Sequence, residues 1–443
     1  MATYAQTSSS QSTSQVDDGL YSRVSWKIVP LLLIAYMVAY LDRINIGYAQ
    51  LQMKQTLPFS DAVYGLGAGM FFIGYLLFEV PSNLLLEKIG ARKTLLRIMV
   101  LWGIVAAGMA FVTTPTQFYI GRVLLGVFEA GFFPGVILYF TYWYPSVKRG
   151  QVIALFMTAT TIISVFAGPI SGAILKFCDG ALNLYGWQWL FIVQGLPASI
   201  LGVIIFFTLK DKPEQANWLS SDDKRTIAAD LARDAAAIPA ERSGTFRDSL
   251  RDPKIYALGL VLLLLVGATY VMVFWLPTLI KSWGVNDVFM VGIYAAIPNA
   301  VGVIGMVLIG RSSDRMRERR WHFGVCCLIA VVGLLAASVA EGNLVASILA
   351  LCFAVIGIAS ATPLFFTLVS EYMPPSAAAG GIALVSSLGN LGPAVTPSIN
   401  GMILQATGKN VFSLYFVISL YLLAGLLLVL IMRSAPRGKS PRS

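Results

Sequence analysis

The chain has 443 residues, 57% hydrophobic and only 12% charged, and its 32 Lys and Arg against 22 Asp and Glu give a formal net charge of +10. A soluble domain carries roughly 25% charged residues, so this composition excludes a water-soluble globular protein and requires lipid around most of the apolar surface. Cys178, Cys326, Cys327, Cys352 and the single histidine, His322, show no metal-ligand spacing, and no nucleotide loop or nucleophile–base arrangement is present, so neither a cofactor nor an enzyme is expected.

The first residues, MATYAQTSSSQSTSQVDDGL, lack the basic and apolar regions of a cleaved signal peptide, and residues 1–27 read as a disordered cytoplasmic tail. Apolar blocks of about 20 residues, long enough to cross a bilayer, then recur twelve times. They lie near 28–48, 62–86, 94–113, 117–141, 151–175, 187–209, 255–279, 288–309, 321–340, 343–369, 377–404 and 411–432. Residues 28–209 thus form an N-terminal six-helix bundle, 210–254 a charged cytoplasmic linker, 255–432 a C-terminal six-helix bundle and 433–443 a cytoplasmic tail. Within the linker, SDDKRTIAADLARDAAA reads as a short soluble helix with Asp222 and Asp223 in its first turn.

Orientation follows from Lys and Arg, which stay on the cytoplasmic side. With both termini cytoplasmic, the outer loops hold only Lys54, Lys176, Lys281 and Lys409, while Arg43 and Arg122 lie inside helices. The positive charge is therefore a matter of topology, and nucleic acid is not an expected partner.

The two halves repeat. IALFMTATTIISVFAGPISGAIL from Ile153 aligns with IALVSSLGNLGPAVTPSINGMIL from Ile382, and NLLLEKIGARK from Asn83 aligns with GRSSDRMRERR from Gly310, matching Glu87 with Asp314 and Lys88 with Arg315. Two parallel repeats joined by a charged loop are the organisation of a transporter whose halves rock around a midplane site.

The segment from Asn83 to Lys93 resembles the loop between helices two and three of the major facilitator superfamily, with Glu87, Lys88, Gly90, Arg92 and Lys93 at its acidic, basic, glycine and basic positions and Asn83 where glycine is usual. YLDRINIGYA, GRVLLGVFEAGFFPG and GWQWLFIVQGLPA are similar to stretches of its anion:cation symporters. The resemblance implies an all-α integral membrane protein with the major facilitator fold. It further implies uptake of organic anions driven by cations, usually protons in bacterial members.

The residues point the same way. A lone charge at the bilayer centre costs on the order of 3 kcal/mol, so Asp42, Arg43, Arg122 and Glu129 are expected to face a wet cavity or one another. Arg122 and Glu129 are seven apart and share a helix face, and Gly126 between them leaves room for a close neighbour. A guanidinium grips a carboxylate with a fork that lysine lacks, so Arg43 is the preferred anion anchor and Arg122 a second. Asp42 and Glu129 are the candidates for carrying a proton once substrate occupies the arginine, the reciprocal linkage symport requires.

Tyr40, Tyr75, Tyr270 and Asn390 are further substrate-binding candidates, with Tyr36, Phe274, Trp275 and Asn299 as weaker ones. Glu79, nearer the cytoplasmic end, is assigned to a gate rather than to the proton pair. Glu87, Lys88, Arg92, Asp314 and Arg315 are expected to latch helix ends on the cytoplasmic face.

The expected function is import of a small organic carboxylate, whether sugar acid, hydroxy-dicarboxylate or aromatic acid, by proton symport. An exporter or exchanger on the same fold is the alternative, and a receptor that does not transport a more distant one. The expected partners are the anion, the proton and the bilayer of the inner (plasma) membrane, with the chain working as a monomer.

Overall fold

The computed structural model describes residues 18–237, 252–340, 342–372 and 378–432. The expected tails at 1–17 and 433–443, and linker positions 238–251, lie outside the described residues. Among the described residues, twelve helices are long and apolar enough to cross a membrane. In the first half these are α1 (Asp18–Thr56), α2 (Asp61–Ile89), α3 (Ala91–Phe111), α4 (Pro115–Thr141), α5 (Ser146–Phe177) and α6 (Gly186–Thr208). The second half contains α7 (Pro253–Ser282), α8 (Val288–Met316), α9 (Arg320–Val339), α10 (Leu344–Tyr372), α11 (Gly381–Thr407) and α12 (Asn410–Ile431).

Helix starts follow local chemistry. Ser60 caps α2 by accepting from the Val63 N–H, Thr114 and Gln117 form a capping box at α4, and Asp287 caps α8. One boundary differs from the sequence expectation: α1 begins at Asp18, so residues 18–27 are helix and not tail. Hydropathy misses this turn because its polar side chains are satisfied by protein. Tyr21 donates to Asp230 at 2.9 Å, Arg23 pairs with Asp223 at 2.9 Å, and Leu20, Tyr21 and Val24 are buried.

The linker helix (Ser221–Ala237) is the partner of that extension. Ile227 is buried, Asp234 accepts from the Ser146 hydroxyl at 2.7 Å, and Trp218 stacks on Trp143 with ring centres 5.9 Å apart. Hydrogen bonds from Ser220, ahead of the Arg23 charge, hold the Asp223 carboxyl below its usual range. The linker helix is therefore fastened to the first half.

The halves meet chiefly through two helix pairs, α2 with α11 and α5 with α8, with the end of α1 against α7 as a smaller third contact. The repeat equates α5 with α11 and α2 with α8, so the two main pairs are pseudo-symmetric copies. Each is a glycine crossing: a Cβ on Gly65 would lie 2.4 Å from the Pro397 carbonyl, and one on Gly168 would lie 2.3 Å from that of Gly292. Without lipid-excluding apolar gain between helices, such close backbone approach is what holds membrane helices together.

These crossings lie on the side away from the linker, the far side. There Gln50 Nε2 donates to the Phe274 carbonyl at 2.7 Å, Gln405 accepts from the Ala62 N–H at 3.2 Å, and Lys176 pairs with Asp287. Between described residues, the hydrogen bonds, ion pairs and ring contacts joining the halves extend from the far side only to the level of Arg43 and Tyr270. Among the described residues, these contacts between the halves are thus gathered on the far side and at the level of Arg43.

Candidate functional site

The site is built where α1, α2 and α4 of the first half meet α7 of the second. On α4 the helix breaks just after Glu129: Ala130 and Gly131 form a turn, with Gly131 at φ +88°, before the helix resumes at Phe132. Only glycine adopts that conformation without strain, and a Cβ there would also sit 2.4 Å from the Ser82 hydroxyl. The turn leaves Glu129 at the end of its segment, buried at 1% exposure. Gly126, one turn earlier, admits the α2 backbone: a Cβ would lie 2.0 Å from the Phe71 carbonyl. This is the close neighbour the Arg122–Gly126–Glu129 spacing anticipates.

Arg43 crosses from α1 to form an ion pair with Glu129, its Nε donating at 3.2 Å and Nη2 donating to the same Oε1 atom. Its Nη1 donates to the Tyr270 hydroxyl at 3.4 Å, which ties the pair to the second half. The guanidinium carbon lies 5.4 Å from the ring centres of both Phe71 and Tyr75, within cation–π range. The other carboxylate oxygen, Oε2 of Glu129, is buried and accepts no hydrogen bond from described residues.

Asp42 is adjacent to Arg43 in sequence and separate from it in space. Its Oδ2 accepts from the Trp102 indole on α3 at 2.7 Å and its Oδ1 from Asn45 at 2.9 Å, all three groups being buried. Arg122, 1% exposed, donates from Nε to the Gly67 carbonyl at 3.2 Å and covers the Phe71 ring at 5.1 Å, while its Nη2 has no partner among the described residues. Two guanidinium groups thus share Phe71. Trp102 and Phe71 carry no signal in the sequence, since both sit within ordinary apolar blocks.

The remaining candidates scatter. Tyr75 and Tyr270 belong to the Arg43 cluster; Tyr40 packs with Leu41, Ile163 and Ala167 between α1 and α5. Tyr36 stacks on Phe156 at 4.6 Å. The Phe274 carbonyl serves Gln50 and Tyr64, and the Trp275 indole N–H is buried without a partner among described residues. Asn299 folds back to the Ala295 carbonyl, and Asn390 stands at the turn that interrupts α11.

On the linker side, Glu87, Lys88 and Arg315 are exposed. Arg92 donates to the Phe206 carbonyl at 2.9 Å and its backbone N–H to Asp211 at 2.8 Å; Asp314 pairs with Arg319 at 2.6 Å, and Arg319 also reaches Glu371. None of these contacts crosses between the halves.

Two six-helix bundles that meet at one end around buried charges define a membrane transporter of the rocking, two-bundle class. The Major Facilitator Superfamily profile matches residues 32–397 and again 319–443, and the chain belongs to that family. It is similar to a protein of Pseudomonas putida named as the metabolite transport protein NicT, 45% identical over 90% of this chain and 91% of the other. A protein of Agrobacterium vitis named as a tartrate transporter is 41% identical over 97% and 95%. Among solved structures, a bacterial homologue of the lysosomal transporter Spinster superposes with a TM-score of 0.72 at 19% identity, covering 94% of this chain and 95% of that one. The protein is accordingly a multi-pass membrane transporter and not an enzyme.

Proposed function

We propose that the protein imports a small organic carboxylate by proton symport, working as a monomer in the inner (plasma) membrane with its linker and both termini cytoplasmic. The observation that carries this reading is the Arg43–Glu129 pair: one Glu129 oxygen is held by the guanidinium and the other is buried with no donor among the described residues. An incoming carboxylate competes for the guanidinium fork. As it takes Arg43, Glu129 loses its counter-charge and Oε2 is free to accept a proton. Anion and proton then travel together, and neither site holds its load as well alone.

Glu129 ranks ahead of Asp42 as the coupling acid, because Trp102 and Asn45 hold Asp42 whether or not substrate is bound. Arg122 is the second cation of the site. Tyr75 and Tyr270 flank the anchor, while Tyr40 and Asn390 are assigned to the substrate path at lower rank. Similarity to a protein named for tartrate transport favours a hydroxy-dicarboxylate among the carboxylate classes. Glu87, Lys88, Arg92, Asp314 and Arg315 latch the linker side when the far side opens, a role that fits their having no contact with the opposite half among the described residues.

The test is uptake by the purified full-length protein in proteoliposomes under an imposed inward proton gradient, with tartrate, sugar acids and aromatic acids as substrates. Wild type should accumulate one of these classes and alkalinise the outer medium as it does so. Glu129→Gln keeps the shape and removes the titrating proton, so it should exchange substrate across the membrane yet fail to concentrate it. Proton-driven accumulation by Glu129→Gln, Asp42→Asn and the double variant alike would overturn the mechanism and leave a facilitator or another coupling ion.

A further inference from the structure

Glu79 lies outside the pair described above, and its surroundings give it work of its own. It follows Phe72 and Tyr75 on one face of α2 at helical spacing. Phe72 sets its ring 4.7 Å from that of Tyr270 on α7, and Tyr75 lies beside the Arg43 guanidinium, so this face looks into the gap between the halves. Glu79 continues it toward the linker side, beyond the level of the Arg43–Tyr270 contact between the halves. It is half-buried and forms no ion pair with any described residue; its backbone carbonyl accepts from the Asn83 side chain, which leaves the carboxylate itself uncommitted among the described residues.

Arg43, beside Tyr75 on this face, already serves Glu129. The titratable and charged groups around the gap are Arg43 and Tyr36 on α1, Tyr75 beside it on α2, Glu129 on α4 and Tyr270 on α7. A carboxylate inside a membrane helix without a counter-charge is costly to keep.

We infer that Glu79 is the station through which the proton leaves on the linker side, an inference that rests on the proton-symport reading. When the substrate anion departs, Arg43 recovers Glu129. The O–H bond on Glu129 breaks, the proton passes by water to the Glu79 carboxylate, and the new O–H bond there breaks in turn to release it on the linker side. One proton is moved and no electron. The alternative, a latch residue, makes a different prediction, because a latch governs substrate exchange and net uptake equally.

Radiolabelled tartrate in proteoliposomes separates them, with two rates measured on the full chain: proton-driven net uptake and tartrate–tartrate exchange. In Glu79→Gln the ratio of net uptake to exchange should fall about tenfold. A positioned proton-transfer group contributes more than that to a chemical step, but slow conformational steps mask part of the loss. Net uptake should also lose its acceleration by alkaline pH on the linker side, and Glu79→Asp, which keeps a carboxyl group, should recover most of both. An unchanged ratio, or a parallel fall in both rates, would overturn the role of Glu79. Tartrate entry through wild type with no accompanying proton removes the symport reading itself, and the inference with it.

Discussion

At the scale of single residues, Arg43 combines a fork on Glu129, a hydrogen bond to Tyr270 and two aromatic faces. Lysine keeps the charge but is a compact, strongly hydrated point that reproduces neither the fork nor the stacking. Arg43→Lys should therefore lower transport at least about tenfold, or 1.4 kcal/mol, at equal protein in the vesicles. Near-normal affinity in that variant would remove Arg43 as the anchor. Trp102 offers a contrasting case, since it is fully buried and its indole donates to Asp42. Trp102→Phe leaves a buried carboxylate oxygen without its donor, a loss of about 1–3 kcal/mol, visible as a lower unfolding temperature in detergent. The same substitution in an Asp42→Asn background should cost clearly less, and equal costs in the two backgrounds would show that the indole contributes packing alone.

At the scale of helices, the far-side glycine crossings set how the halves meet. Gly168 on α5 and Gly292 on α8 press backbone to backbone, and a Cβ on Gly292 would lie 2.1 Å from the Gly168 carbonyl. Backbone cannot yield as a flexible side chain does, so Gly292→Ala should force the pair apart on the far side. The expected result is a folded protein whose transport is strongly reduced and in which a cysteine placed at Phe289 reacts faster with a water-soluble thiol reagent. Gly310, on the same helix, provides the control because a Cβ there would meet nothing within 4 Å: Gly310→Ala should leave both measurements unchanged. Equal effects at the two glycines would mean that helix propensity, not the crossing, is responsible.

At the scale of the whole molecule, the linker helix is fastened to the first half, and the halves are joined on the far side by the glycine crossings and the Lys176–Asp287 ion pair. The Lys176 ammonium, as hydrogen-bond donor, holds the Asp287 carboxyl below its usual range. The sign follows from that direction. The pair contributes fully above the ordinary carboxylate range, near 4, and its contribution is lost as pH falls through the depressed value. Spin labels on the far-side ends of α5 and α8 should accordingly report more of the separated state under acid conditions, and Asp287→Asn should mimic the change at neutral pH. The shift should be a few-fold at most, about what an exposed pair contributes. A distance distribution insensitive to both acid and Asp287→Asn would assign far-side closure to the glycine crossings alone.

The number of helices, their division into two repeats and the rarity of intramembrane charge were legible in the sequence because a bilayer imposes length and hydropathy on every segment that crosses it. Arg43 and Glu129 stood out for the same reason, as charges where lipid tolerates few. What each charge touches was decided only by tertiary structure. Asp42 and Arg43 are neighbours in sequence, but successive residues on a helix point about 100° apart, so one turns into the first half toward Trp102 and the other outward toward Glu129 and Tyr270. Arg122 and Glu129 share a face as their spacing indicates, yet Arg122 donates to a backbone carbonyl because α2 brings Gly67 within its reach. The helical turn at residues 18–27 escaped hydropathy because water-facing and protein-facing polar residues look alike in a sequence. Periodicity names the face on which a side chain lies. Which helix covers that face is set by the close packing of small residues, and an apolar sequence offers many such pairings that only the folded molecule distinguishes.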